Sequence, residues 1–517
     1  MNYIELFAGC GGLSLGLEKS GFDLILANEL SPMAAETFAY NILGEDLSNI
    51  ANNGREAERT YWLSSQYKNM SERLRENPTL YPEIGDGVTD VPVNPDQLYG
   101  KLLVANIIQL NQFLRGNDEF LKRIQCGFGK GEVDLISGGP PCQSFSLAGL
   151  RQKDCKKNTL PWEFANFVEL VQPKFVILEN VTGILRPFTQ DGKNFYPWSE
   201  VSDVFSSKNY VPLCLHVNAK LTGVPQNRPR FIMLAIRHDI YLKISNNFND
   251  VEKELFDPVY DYFCNSKEND NKYYDVSKRI ELRFFKETFL SPLVDKNIIN
   301  VKDAIDDLRI NKKSVSKKSD FVVELNKEFE LKLGKAKKIL NHEPRANSEK
   351  VKRRFRVYQI LRDCSNTTIK EVVGILKQEG CELSESAWGE LMLKNFYKQT
   401  EEYGKFQKVG ALVDFLKLHP TKKQTQKALD PTSPAPAALS IPDDACHYHV
   451  KELRTLTVRE MARIQSFPDS FVFRSKVTTG GKMRRFEVPQ YTQVGNAIPP
   501  LLGTALAKII QSLNDKL

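Results

Sequence analysis

Cys142 lies in a predicted loop after a buried strand, a position from which a side chain can act as a nucleophile. The apolar run Val133–Ser137, which predicts a buried strand, leads directly into the glycine- and proline-rich segment Gly138–Ser146 that contains Cys142. Open α/β sheets hold ligands and chemistry in loops beyond the carboxyl ends of their strands. Because a thiolate is a strong nucleophile, we interpret Cys142 as a candidate attacking group.

Two other kinds of side chain would complement such a nucleophile. Glu179 ends the apolar run Lys174–Leu178, so we expect its carboxyl to be poorly solvated, and such a carboxyl could hold a proton near neutral pH. Arg228 and Arg230 alternate on an extended segment and should face the same side. These groups suit addition of a thiolate to an electron-poor ring carbon, with the carboxyl at a ring nitrogen and an arginine at a ring carbonyl oxygen.

Two rival uses of the same residue types are less consistent with the sequence. A Cys–His hydrolase needs a histidine near the conspicuous loops, and none of the six histidines lies there. The cluster of Cys446, His447 and His449 lacks the second pair of ligands that a metal site requires. We therefore expect neither a hydrolase nor a metal site.

The first 30 residues predict a site for a nucleoside. The strand Tyr3–Phe7 leads through the glycine turn Ala8–Gly12 into a helix, an arrangement that lets backbone N–H groups approach a negatively charged ligand. A second strand ends at Asn28-Glu29, roughly 20 residues later, where a carboxylate can accept bonds from ribose hydroxyls. Glycine turns alone are commonly structural, and the added acid makes a nucleoside the better interpretation.

Composition limits the class of protein. The 517 residues, with 41% hydrophobic and 26% charged, are typical of a soluble globular protein of two or three domains. No apolar run reaches the ~18 residues of a membrane span, and no basic leader precedes the first strand. Nine cysteines without paired spacing indicate a reducing compartment. A net charge of +7 permits a nucleic-acid partner without requiring one.

Patterning along the chain predicts two domains. Strands and helices alternate over about residues 1–240, apart from a polar, turn-rich insertion at about 45–99 that we interpret as a solvated excursion. The alternation stops over about 241–439, where runs of lysine and arginine are consistent with phosphate contact. Over about 440–517 strong patterning returns, with a capping box at Thr457 and Glu460 and an amphipathic helix at Leu501–Leu513.

These motifs, in this order, resemble those of the C5-cytosine DNA methyltransferase family of bacterial restriction–modification systems. The segments that carry the resemblance are Phe7–Gly12, Asn28-Glu29, Pro140–Gln143, Glu179–Val181, Gln226–Arg230, the block from Arg454 to Asp469, and Gln493–Pro499. Each segment alone is a weak or moderate signal, whereas their joint presence in order is very specific. The resemblance covers about residues 1–239 apart from the insertion, and about 431–517.

The resemblance implies an α/β fold with a Rossmann-like domain that depends on S-adenosylmethionine, formed by residues 1–240 and 440–517. A separate mixed target-recognition domain would occupy residues 241–439. The product of the cofactor would be S-adenosylhomocysteine. The residues implied to bind the cofactor are Phe7, Ala8, Gly9, Gly11, Gly12, Glu29, Leu30, Asn106, Ile107, Pro140 and Asn496. Ala105-Asn106-Ile107 departs from the usual Gly-Asp-Ile, although an asparagine oxygen can still accept a bond from the adenine amine.

The implied reaction methylates C5 of a cytosine that is flipped out of double-stranded DNA. Cys142 would add to C6, while Glu179 engages N3 and the exocyclic amine and Arg230 holds O2. Arg228 and Asn180 would support this geometry. The implied DNA contacts are Gln143, Ser144, Ser146 and Arg459, and for Arg459 a structural role is the alternative.

The resemblance also implies a setting. We expect a monomer in the bacterial cytoplasm that acts on double-stranded DNA, independently of any cognate restriction endonuclease and without a membrane partner. Two alternatives stay open, namely a tRNA methyltransferase of the same chemistry and a binding protein on an inactive enzyme scaffold. The recognition-sized insert disfavours the first, and the intact Cys142, Glu179 and Arg230 disfavour the second.

Overall fold

The computed structural model describes residues 1–141, 159–190, 193–265, 271–311, 317–422, 426–437, 439, 441, 442 and 444–517. The predictions for Cys142, Gln143, Ser144 and Ser146 therefore lie outside the described residues. The strands are β1 (Asn2–Leu6), β2 (Asp23–Glu29), β3 (Thr60–Trp62), β4 (Lys101–Val104), β5 (Leu135–Gly138), β6 (Phe175–Val181), β7 (Phe188–Gln190), β8 (Lys193–Phe195), β9 (Tyr210–Asn218), β10 (Pro229–Arg237), β11 (Tyr273–Asp275), β12 (Phe396–Gln399), β13 (Glu402–Gly404), β14 (Lys427–Ala428) and β15 (Ala445–Cys446).

The helices alternate with the strands in the first half of the chain and dominate the second half. They are α1 (Gly12–Lys19), α2 (Pro32–Phe38), α3 (Leu47–Asn52), α4 (Met70–Arg73), α5 (Ile107–Arg115), α6 (Asp118–Gln125), α7 (Leu160–Val171), α8 (Pro197–Ser207), α9 (His238–Ile244), α10 (Asp250–Cys264), α11 (Leu282–Lys286), α12 (Val301–Ile305), α13 (Asp320–Glu328), α14 (Glu330–Leu333), α15 (Glu349–Leu361), α16 (Asn366–Lys377), α17 (Glu385–Leu391), α18 (Val409–Lys417), α19 (Val458–Ile464), α20 (Gln490–Asn496) and α21 (Pro500–Asn514). Over the residues that the structure describes, no helix is both long enough and apolar enough to span a bilayer.

One large sheet organises the fold. Nine of the described strands form it in the order β11-β9-β10-β6-β5-β1-β2-β4-β3. Among them, β10 runs antiparallel to β6 and β9, and the other neighbouring pairs are parallel. The chain builds outward from β1 in one direction and then in the other, so the order reverses between β1 and β5. The predicted Rossmann-like α/β fold is confirmed.

The central strands are apolar because helices cover both faces of the sheet. All five residues of β1 are buried, and Phe175–Leu178 of β6 are fully buried. The first and last helices pack against each other at two glycines, since a side chain at Gly16 would meet the Thr504 nitrogen at 2.5 Å. Gly503 provides the matching close approach on α21. The amphipathic helix predicted at Leu501–Leu513 is thus confirmed as α21.

The insertion is folded onto the sheet instead of forming the solvated excursion that its polar composition suggests. Its strand β3 pairs with β4, and Trp62 at the end of β3 is fully buried. The guanidinium of Arg73 lies 5.4 Å from the Trp62 ring centroid and forms an ion pair with Asp90. The polar residues are therefore partly internal, paired with one another against an aromatic anchor.

A second apolar core is narrower than the 241–439 domain that the sequence predicts. Phe355, Leu376 and Leu412 belong to this separate core, which gathers residues from α15 to α18 and also contains Ala428, Cys446 and Leu453. Upstream of it, Phe256 and Phe285 pack into the main core, and β11 joins the large sheet beside β9. The helices upstream have polar outer faces, and this polar composition masks in the sequence the apolar faces that pack against the main core. The recognition domain predicted at 241–439 stays a prediction, and its separate core is centred on α15 to α18.

A buried acid in β1 yields a testable pH dependence. Glu5 is hydrogen-bonded to Ser14 of α1, and burial raises its pKa from 4.5 to about 8. The neutral form thus stabilises the folded state fully below about pH 4.5, and this contribution is lost as the pH rises toward 8. The Glu5→Gln variant has no ionisable group here and does not lose this stability as the pH rises. The difference in free energy of unfolding, variant minus wild type, should therefore increase by about 1.4 kcal/mol per pH unit between pH 5 and 8. Urea unfolding across this range measures the difference, and a pH-independent difference contradicts the prediction.

Candidate active site

The loop that leads to Cys142 leaves the sheet beside Glu179. Strands β5 and β6 are parallel neighbours, with Gly138 opposite Leu178, so their carboxyl ends lie together. A side chain at Gly138 would lie 2.3 Å from the Leu6 carbonyl oxygen, and one at Gly139 would lie 3.1 Å from Oε2 of Glu179. Gly138 is needed because the backbone passes so close to β1, and Gly139 leaves room for the Glu179 carboxyl.

Glu179 and Arg230 form an ion pair at this edge. Arg230 lies on β10 next to β6, and its Nε is 2.6 Å from Oε1 of Glu179. Each side chain is 11% exposed. Removing charges from water is costly, and an ion pair held this way is weak support for stability, which makes a chemical role the better explanation for it. The structure thus brings together two of the three side chains predicted to act on a ring.

Asn180 fastens the start of the cysteine loop. Its Nδ2 donates to the carbonyl of Pro140 at 3.0 Å, and its Oδ1 accepts from the Val181 nitrogen at 2.8 Å. The side chain is 3% exposed. This contact agrees with the supporting role predicted for Asn180, because it fixes the backbone of Pro140 from the neighbouring strand.

Arg228 joins the active-site strand to the last helices. Its Nη2 donates to the carbonyls of Gly495 and Ala497 at 2.8 and 2.9 Å. Burial, and then the nearby charge of Arg230, lower the pKa of Arg228. The two acceptors flank Asn496, an exposed residue at the end of α20, so Arg228 fixes the backbone on both sides of a predicted cofactor contact.

The predicted cofactor loop has the backbone of a ligand cradle. Gly9 and Gly11 have left-handed φ angles of 55° and 91°, and so does Phe7 at 54°. A non-glycine residue in this region carries strain, which commonly accompanies binding sites. Helix α1 starts at Gly12, where a side chain would lie 2.2 Å from the Ile498 carbonyl oxygen. The segment between α20 and α21 therefore closes one side of the loop.

Glu29 holds this loop from the end of β2. Its Oε2 accepts from the Gly9 nitrogen and its Oε1 from the Ser31 nitrogen, each at 2.8 Å. Burial raises the pKa of Glu29, against the effect of these backbone bonds. Each carboxylate oxygen keeps a further lone pair for a ribose hydroxyl. Beside it, the Leu30 side chain is 39% exposed, an apolar surface at the edge of the sheet.

Asn106 lies at the end of the neighbouring strand. β2 and β4 are paired with Glu29 opposite Val104, so Glu29 and Asn106 occupy the same edge. The Asn106 Oδ1 caps α5 by accepting from the Ile108 nitrogen at 3.0 Å, and one lone pair of this oxygen remains for an adenine amine. Ile107 is buried beneath this edge. A left-handed glycine cradle, a carboxylate and an amide oxygen at adjacent strand ends fit an adenosine group.

Of its two predicted roles, Arg459 has the structural one, and its assignment as a DNA contact is corrected. Its side chain is fully buried in α19. Its guanidinium donates to the carbonyls of Leu340, Pro468 and Phe471 at 3.0, 2.8 and 2.6 Å. With these bonds made and no exposed surface, the group does not face a DNA phosphate.

The surroundings of Arg459 are also structural. Arg454 forms two bonds of 2.7 Å with the buried carboxylate of Glu460, which also completes the capping box predicted with Thr457. His447 is fully buried, and burial lowers its pKa to about 4. Its Nδ1 accepts from the His449 nitrogen at 3.0 Å. Over the described parts of the chain, no group of His, Cys, Asp and Glu side chains is arranged to hold a metal ion.

Comparison with known proteins places this geometry in a family. A family model described as C-5 cytosine-specific DNA methylase matches residues 1–62 and 116–512. The type II methyltransferase M.DdeI of Desulfomicrobium norvegicum is 25% identical over 513 residues, which are 99% of this chain and 88% of that protein. The type II methyltransferase M.AgeI of Thalassovita gelatinovora is 27% identical over 535 residues, with 99% of each chain covered. Because the family match spans most of the sequence and includes Glu179, Asn180, Arg228 and Arg230, the chain belongs to the C-5 cytosine-specific DNA methylase family.

Proposed function

We propose that this C5-cytosine DNA methyltransferase attacks C6 of a flipped cytosine in double-stranded DNA through Cys142, with S-adenosylmethionine as methyl donor. The observation that carries the proposal is the ion pair of Glu179 and Arg230 beside Gly139, at the strand end from which the chain continues to Cys142. A base seated against this pair lies next to the start of the cysteine loop. The target base has to leave the duplex because its ring carbons cannot be reached in the stack.

Glu179 and Arg230 bind the polar edge of cytosine and stabilise the charge that develops on the ring. Glu179 engages N3 and the exocyclic amine, and Arg230 donates to O2. When the Cys142 thiolate forms a bond to C6, negative charge develops toward N3 and O2. A proton on the Glu179 carboxyl is donated to N3, and the Arg230 guanidinium donates to O2. Burial strengthens both interactions because little water competes for them. Asn180 and Arg228 keep the loop and the strand in place during this step.

The thiolate addition makes C5 the nucleophilic carbon of the ring. S-adenosylmethionine, when bound, supplies the methyl group for C5 and is left as S-adenosylhomocysteine. Transfer of the C5 proton to water then returns an electron pair to the ring, the bond between C6 and sulfur breaks, and the Cys142 thiolate is regenerated with 5-methylcytosine as product. The residues proposed to hold the cofactor are Phe7, Ala8, Gly9, Gly11, Gly12, Glu29, Leu30, Asn106, Ile107, Pro140 and Asn496.

The relatives support a role in restriction–modification. Both relatives described above are named type II methyltransferases. We propose that the chain protects host DNA by methylating one target sequence, as a cytoplasmic monomer independent of any endonuclease. Gln143, Ser144 and Ser146 are the proposed DNA contacts of the cysteine loop.

Covalent trapping tests the proposed function. In a duplex that carries 5-fluorocytosine, the fluorine cannot leave C5 as a proton does, so the bond between sulfur and C6 persists. We expect a denaturation-resistant complex that contains DNA and a radiolabelled methyl group, and bisulfite sequencing of host DNA should then identify the target cytosine. Methyl transfer to tRNA but not to DNA would instead establish the tRNA alternative. Tight DNA binding without any adduct would favour an inactive scaffold.

A further inference from the structure

The insertion reaches the carboxyl edge of the sheet and is fastened there at two points. Tyr81 Oη donates to the Leu30 carbonyl at 3.0 Å, directly after β2. The carbonyl of the next residue, Pro82, accepts from Nε2 of Gln109 at 2.9 Å, in the first turn of α5. Because β2 and β4 are neighbours and α5 follows β4, these two bonds place residues 81 and 82 between adjacent strand ends.

The same segment is also held from within the insertion. The side chain of Gln66 donates to the carbonyl of Leu80. The buried carboxylate of Glu76 in turn accepts from the Gln66 nitrogen and from Ser65 Oγ, each at 2.7 Å. Tyr81 packs against the main core, and burial and the Glu76 and Glu29 carboxylates raise its pKa, so its hydroxyl remains a donor. The segment is therefore a fixed part of the sheet edge.

The strand ends that the segment joins are those proposed to hold adenosine. Glu29 and Leu30 follow β2, and Asn106 and Ile107 follow β4. Leu30, Leu80 and Ile84 are 39%, 58% and 41% exposed, so apolar surface is available at this edge from the strand end and from the insertion. A flat base is commonly held between apolar side chains with a few polar contacts. The family match ends at residue 62 and resumes at 116, so the segment lies outside the shared pattern.

We propose that residues 80–84 form an additional wall of the adenosine pocket, and that Tyr81 is a positioning residue that sets the Leu30 backbone for the nucleoside. The proposal rests on the proposed function, because it takes S-adenosylmethionine to be the ligand. The Glu29 carboxylate accepts hydrogen bonds from the backbone nitrogens of Gly9 and of Ser31, the residue next to Leu30. Fixing the Leu30 carbonyl therefore also steadies the carboxylate that holds the glycine loop.

Tyr81→Phe removes only the hydroxyl and tests the wall directly. A hydrogen bond of this kind contributes modestly, so we expect the Kd for S-adenosylhomocysteine to rise about 3- to 10-fold in calorimetry. Gln109→Ala, which removes the hydrogen bond to the Pro82 carbonyl, should also raise the Kd for S-adenosylhomocysteine. The Kd for duplex DNA and the methylation rate at saturating cofactor should stay at their wild-type values, which a general loss of structure would not allow.

Tyr99→Phe is the matched control. Tyr99 belongs to the same insertion, but its hydroxyl bonds Asp23 at the start of β2, the end opposite Leu30. This variant should bind S-adenosylhomocysteine like wild type. An unchanged Kd in both Tyr81→Phe and Gln109→Ala, or an equal loss in Tyr99→Phe, would overturn the wall. Failure of the wild-type protein to bind S-adenosylhomocysteine at all would overturn the proposed function itself.

Discussion

Cys142→Ala is expected to abolish methyl transfer, with a loss of more than about 10⁴-fold, while binding of cofactor and DNA persists. Without a bond from sulfur to C6, C5 of cytosine is too weak a nucleophile to take up a methyl group. The variant should also form no denaturation-resistant complex with 5-fluorocytosine DNA. Radiolabelled methyl transfer to DNA of mixed sequence measures the first effect, and gel electrophoresis under denaturing conditions measures the second.

Two other cysteines supply matched controls for this substitution. Cys264 and Cys381 are exposed and lie outside the sheet edge that holds Glu179 and Arg230. Their alanine variants should methylate DNA at the wild-type rate and should still be trapped. Full activity in Cys142→Ala would show that another group attacks the base or that no covalent step occurs.

Glu179→Gln is expected to lower the single-turnover rate of methylation about 10²- to 10⁴-fold. Glutamine keeps the shape of the side chain but cannot hold the charge or the proton that the carboxyl offers at N3. Its amide oxygen can still accept from the exocyclic amine of cytosine, but its NH2 group cannot transfer a proton to N3. The loss should appear equally in the rate of adduct formation on 5-fluorocytosine DNA, because the carboxyl acts as the sulfur adds to C6.

Glu169→Gln controls for the chemical change at Glu179. Glu169 is 52% exposed and pairs with Lys208 at the surface, so its substitution should leave the rate unchanged. The thermal unfolding midpoint of Glu179→Gln should be measured as well, because the substitution leaves Arg230 without its anionic partner. A rate within twofold of wild type in a folded Glu179→Gln variant would exclude the carboxyl from the reaction.

The central fold could be predicted because its strands are buried on both faces. Runs such as Phe175–Leu178 are continuously apolar, and the glycine turn after β1 marks where the strand stops. The capping box at Thr457 and the apolar stripe of α21 could also be predicted from the sequence. Strands β3 and β11, each three residues long, were not, because so short a strand carries no period and is defined by backbone pairing with distant residues.

The site was predictable in its members more than in its contacts. Motif order identifies Glu179 and Arg230, but only the pairing of β6 with β10 brings the carboxyl and the guanidinium together. For Arg459 the sequence was misleading. A charged residue in a motif suggests a phosphate contact, whereas the buried Arg459 guanidinium donates to three backbone carbonyls. Tyr81 had no signal at all, because its partner is a backbone carbonyl that any residue would supply.

The contact between the two ends of the chain bears on how the protein is made. The glycine loop is closed at Gly12 by Ile498, and Gly16 lies against α21. Closing so long a loop is entropically costly, and contacts between residues distant in sequence form late and slowly. A chain still on the ribosome has β1 and α1 but lacks the residues that complete the proposed cofactor cradle. We therefore expect the cofactor to bind only after the residues through α21 have been made, so that a fragment that stops before them should not methylate DNA.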